Sequence, residues 1–208
     1  MKQEQDHIRD LAEIRSMMER SSKFLSLSGW SGVLAGIYAL AGGAIVYYGL
    51  QFNPNALMIS DLRSDFVPDQ ILKVIFLAIT VLLLAVITAV YHSFKKAGRN
   101  GEKIWNATSR RVLENMLVPL LVGGILIVIL FSKELIGLIA PMMLLFYGLA
   151  LYTTGKFTIS EVRYLGIIQI ILGLISAVFI EYGLLFWTIG FGVLHIIYGI
   201  YIHYKYER

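Results

Sequence analysis

The sequence predicts an all-α integral membrane protein of six transmembrane helices, N-in and C-in, with a cytoplasmic amphipathic helix ahead of the first span. Three observations carry that reading. Six apolar segments, near 25–50, 70–93, 112–131, 134–153, 161–180 and 182–203, each have about the 20 residues that cross a hydrocarbon core of roughly 30 Å. Runs such as IFLAITVLLLAVITAV (75–90) show no alternation of polarity, which excludes membrane-spanning strands. Fifteen of the 18 Lys and Arg residues fall in the N-terminal segment, the second and fourth loops and the tail, against Arg63, Lys73 and Lys133 on the other side. Basic loops stay in the cytoplasm, so this asymmetry sets the orientation and places the chain in a cytoplasmic (inner) or plasma membrane. Trp30, Tyr47, Tyr91, Trp105 and Tyr204 stand near the predicted interfaces, as an aromatic belt requires.

The chain divides into residues 1–24 and a six-helix domain over 25–208. In the first part Ile8, Leu11, Ile14 and Met18 form a narrow apolar stripe. Arg9 with Glu13 and Glu19 with Lys23 add i, i+4 support. Five acids, Glu4, Asp6, Asp10, Glu13 and Glu19, weaken any simple attraction to anionic headgroups. The stripe is therefore expected to cover itself on a cytoplasmic protein partner, a second copy of the chain or the chain's own loops. The charged leader is long and no A-x-A site follows the first apolar run, so a cleaved signal peptide is not expected.

The first span keeps Gly29, Gly32, Gly36, Ala39 and Gly43 at steps of three and four residues, which puts all five on one helix face. Association in lipid rests on close backbone approach, so this seam predicts a tight helix neighbour, either within the chain or across a homo-oligomer interface. Glycines recur at seven-residue spacing as Gly148 and Gly155, Gly166 and Gly173, and Gly192 and Gly199. The loop over 51–70 spaces Asp61, Asp65 and Asp69 four apart, but Pro68 disfavours a helix through Val67, so a solvated acidic loop is expected. The basic loop over 95–111 reads as a topology anchor, and its net positive charge does not imply nucleic acid. Pro119 and Pro141 fall within or near the ends of spans three and four, where freed carbonyls kink a helix or line a cavity. Thr158 and Glu161 match a capping box at the start of span five.

The absence of cysteine removes disulfides and thiolate chemistry, and no H-E-x-x-H, phosphate-binding glycine loop or G-x-S-x-G is present. No Asp, Glu, Lys or Arg occupies a mid-membrane position, which disfavours ion-coupled transport. Polar residues at that depth narrow to His195 and Gln169. Trp187, Phe191, His195 and Tyr198 share a face of span six at helical spacing, and Gln169 of span five is expected at similar depth, within hydrogen-bond reach of His195. The pair of Gln169 and His195 is expected to be either structural, satisfying both side chains in low dielectric, or part of a candidate site of these five residues for a lipid-like or apolar ligand. Haem through His92 and His203, which end spans two and six on the same side, is the weaker alternative, and neither cofactor nor metal is expected. The function expected is a non-enzymatic sensor, regulatory or scaffold component in contact with membrane lipids. A transporter or channel for a small, weakly polar solute is the alternative.

Overall fold

A computed structural model describes residues 28–50, 67–99 and 105–207. The amphipathic stretch 1–24, Asp61 and Asp65, and the side chain of Asp69 lie outside the described residues. Six helices follow: α1 (Gly29–Gly49), α2 (Val67–Arg99), α3 (Ala107–Ser132), α4 (Ile136–Thr154), α5 (Ser160–Val178) and α6 (Ile180–Tyr206). All six are long and apolar enough to cross a membrane, and no strand occurs among the described residues. The chain is a polytopic membrane protein.

Local chemistry sets the helix starts. The start of α3 lies upstream of the apolar run, because Asn106 and Ser109 cap each other. The Asn106 side chain accepts from the Ser109 N–H at 2.8 Å, and the Ser109 hydroxyl accepts from the Asn106 N–H at 2.9 Å. The box expected at Thr158 and Glu161 does not form. The Thr158 hydroxyl donates back to the Thr154 carbonyl at 3.1 Å, and Glu161 is drawn instead to Lys205 and Tyr206 of α6. Pro119 leaves the Asn115 carbonyl without its helical donor, and the Thr153 hydroxyl of α4 lies 3.2 Å from that oxygen. Pro141 sits in the first α-helical turn of α4, where its missing N–H costs little.

Two antiparallel pairs built on glycine organise the bundle. The seam of α1 faces α6: a Cβ on Gly29 would lie 2.5 Å from the Gly199 carbonyl, one on Gly36 2.6 Å from the Gly192 carbonyl, and one on Gly43 2.6 Å from the Thr188 hydroxyl. Gly32 faces Gly199 in the same way, and Ala39 is buried. In the second pair Gly148 of α4 meets Gly166 and Ile170 of α5, and Gly155 meets Arg163. The seven-residue glycine spacings are thus the two sides of these crossings, from which any larger side chain would force the backbones apart. Around the pairs, α2 packs on α1, α3 packs on α4, and the first half of α6 joins them by leaning on α4 and α5.

Candidate functional site

The polar centre forms where α6 departs from α-helical winding. Over Thr188–Val193 the helix takes a π turn, and the Gly190 carbonyl is shared by two side chains. Gln169 Nε2 donates to it at 2.8 Å and His195 Nδ1 at 2.9 Å. A carbonyl only accepts, so Nδ1 carries the hydrogen, and the neutral ring then presents Nε2 as acceptor. Tyr147 Oη of α4, 2.8 Å away, donates to Nε2. The direct bond expected between Gln169 and His195 is replaced by their common acceptor: the π turn directs the Leu194 N–H to the Ile189 carbonyl rather than to that of Gly190, which takes the two side chains instead.

This centre is closed. Gln169 is 0% exposed and His195 7%, and an added Cβ at Gly190 would lie 2.4 Å from Leu144. Phe191 stacks on His195 with 5.9 Å between ring centroids and touches Trp187 at 5.3 Å, while Tyr147 lies 5.0 Å from Phe191. Tyr198 packs, together with Tyr147, against the adjoining apolar cluster of Leu151, Ile159, Val162, Leu165 and Ile202, and makes no hydrogen bond to the polar centre. Its hydroxyl, Gln169 Oε1 and Ser176 Oγ are buried without a hydrogen-bond partner. Of the five predicted site residues, Gln169, Phe191 and His195 therefore form a packed polar and aromatic core with Tyr147, which the sequence reading missed. Tyr147 is a lone hydroxyl in the apolar middle of its span, a signal available in LLFYGLAL (144–151).

Open volume lies on the other side of Trp187. A crevice of about 440 Å³ separates the first half of α2 (Ile71 to Val81) from α3, α4 and α6, with Val46 of α1, Phe131 of α3, Met143 of α4 and Leu184 and Trp187 of α6 in its walls. No ionisable side chain lines it. The predicted face thus divides: Trp187 meets open space and His195 does not.

Compared with protein-family models, curated proteins and solved structures, the chain matches none.

At the end of the bundle where α1 begins and α6 finishes, Glu207 gathers three helices. Its carboxylate accepts from the Gly29 N–H at 3.0 Å, from Lys96 Nζ of α2 at 3.1 Å and from His203 Nδ1 at 2.9 Å. Burial alone would raise this carboxyl, but the donors His203, Lys96 and Gly29 outweigh it and hold it at about 2. His203, considered above as a haem ligand, gives Nδ1 to this carboxylate and sets its ring 5.4 Å from Trp30, while His92 lies against Tyr91. Among the described residues no three His, Cys, Asp or Glu side chains converge as a metal site. Three further pairs lie near the helix ends: Arg110 with Glu114 at 2.7 Å, Arg163 with the Tyr152 hydroxyl at 2.9 Å, and Glu161 with Lys205.

Proposed function

We propose that this membrane protein is a non-enzymatic sensor or regulatory component that holds a hydrocarbon chain of a membrane lipid in the crevice beside Trp187. The observation that carries the reading is the lining, apolar along its whole length and bounded by five helices. Its 440 Å³ is nearly three times the ~150 Å³ cavity that admits one benzene, room for on the order of fifteen carbon atoms. Moving such a chain out of the bilayer gains no hydrophobic free energy, so retention rests on shape and dispersion against Trp187, Phe131 and Met143. Charge asymmetry supports a cytoplasmic position for the Glu207 end of the bundle. There the amphipathic stretch 1–24 serves as the docking element for a protein partner.

Tryptophan fluorescence tests the lipid site. Trp30 and Trp105 are exposed near the Glu207 end and at the start of α3, so a Trp30→Phe/Trp105→Phe protein reports from Trp187 alone. In nanodiscs of phosphatidylcholine brominated on its acyl chains, Trp187 is expected to be strongly quenched, and Ala78→Phe, which fills the crevice from α2, is expected to relieve at least half of that quenching. Equal quenching in both proteins would show that Trp187 senses bulk lipid and would remove the basis for the site.

A further inference from the structure

The crevice lies at one end of α2 and the ion pair of α2 lies at the other. From Val81 onward α2 is fastened to α1: Val81 meets Gly42, the Thr88 hydroxyl lies 3.3 Å from the Tyr38 hydroxyl, and Ala97 is buried. Before Val81 the helix is a crevice wall, standing off from α3, α4 and α6. At about 1.5 Å per residue, the fastened stretch from Val81 to Lys96 is roughly 22 Å long and the free stretch from Ile71 to Val81 roughly 15 Å. A small tilt at the fastened end therefore becomes an ångström-scale change in crevice width.

An ion pair ties this fastened end of α2 to the Glu207 corner. Lys96 Nζ donates to Glu207, whose carboxylate is fixed independently by the Gly29 N–H of α1 and by His203 of α6. The lysine side chain is 18% exposed and the carboxylate 13%, so water and salt screen this pair less than a surface pair. We propose that the Lys96–Glu207 pair is a latch that sets the stance of α2 and through it the occupancy of the crevice by a lipid chain. This rests on the crevice being the lipid site. A partner or ion that competes for either member of the pair at this end would release the chain some 20 Å away on the order of fifteen residues up the helix, which is how a cytoplasmic event reaches the membrane interior.

The absence of cysteine in the sequence makes the test direct. Spin labels at Leu72→Cys on α2 and Leu135→Cys before α4, both exposed, report the outer width of the crevice by pulsed electron paramagnetic resonance in nanodiscs. Lys96→Gln is expected to broaden and shift the distance distribution and to change brominated-lipid quenching of Trp187 at least twofold. Lys96→Arg, which keeps the charge, is expected to preserve both. An unchanged distribution in Lys96→Gln, or a broadened one with unchanged quenching, would overturn the latch. Absence of quenching in the parent protein would instead fail the lipid reading of the crevice, and the distances alone would then decide whether Lys96 positions α2.

Discussion

His195 is held on both ring nitrogens, and the two bonds are not equivalent. Among the described residues Tyr147 alone donates to Nε2, so Tyr147→Phe strands a buried acceptor, whereas the Gly190 carbonyl has a second donor in Gln169. Hydrogen bonds between membrane helices average about 0.6 kcal/mol and reach about 1.7. Tyr147→Phe is expected near the upper figure. Gln169→Leu is expected close to neutral, because it removes an unpartnered Oε1 together with the donated bond and leaves His195 on the same carbonyl. Unfolding of the two variants in mixed micelles ranks them, and the reverse order would refute this account of the polar centre. His195 and Gln169 were legible in the sequence because polar atoms at mid-membrane depth must find partners. Tyr147 carries the same depth signal but escaped, because a tyrosine, one of 12, reads as apolar bulk or an interface residue as readily as a buried donor, and the shared carbonyl escaped because a π turn is not written in periodicity.

At the scale of helices the glycine seam was legible as a face and its occupant was not. Spacing within α1 fixes which residues share a side, but the partner is the last helix of the chain, and no local pattern specifies so distant a pairing. The geometry gives a sharp contrast. A Cβ at Gly36 meets main-chain atoms, the Gly192 carbonyl at 2.6 Å and the Ile196 nitrogen at 3.0 Å, which cannot move aside without separating α1 from α6. Gly36→Leu is expected to cost at least the ~1–3 kcal/mol of overpacking, seen as a lower melting temperature and loss of monodisperse protein. Gly124 of α3 has nothing within 4 Å of its added Cβ, so Gly124→Ala is expected to be neutral or to stabilise by up to ~1 kcal/mol through backbone entropy. If Gly36→Leu melted like the parent, the seam would not be the contact that joins the two helices. The crevice was illegible for a complementary reason. Periodicity shows which faces are apolar, and α2 from Val74 to Ile87 is apolar on nearly every side, so it cannot show where two apolar faces fail to meet.

For the molecule as a whole, Glu207 is a polar joint where α1, α2 and α6 meet at one end of the bundle, and acid should test that joint. Its carboxyl is held at about 2 against an ordinary value of 4.5, so the folded state binds its proton less readily than the unfolded chain. The stability it contributes is fully present above pH 4.5 and is lost as the pH falls from 4.5 towards 2. The charged and titratable groups facing it are Lys96 and His203, and the Gly29 N–H adds the positive end of α1. Melting curves of the parent and Glu207→Gln proteins across pH 2.5–7 separate this contribution from that of the other acids. The difference between the two is expected to shrink steadily as the pH falls below 4.5, because the parent becomes what the glutamine variant already is. A difference that persisted unchanged at pH 2.5 would mean that the glutamine harms packing at this corner rather than charge, and the three-helix joint would then be steric and not ionic.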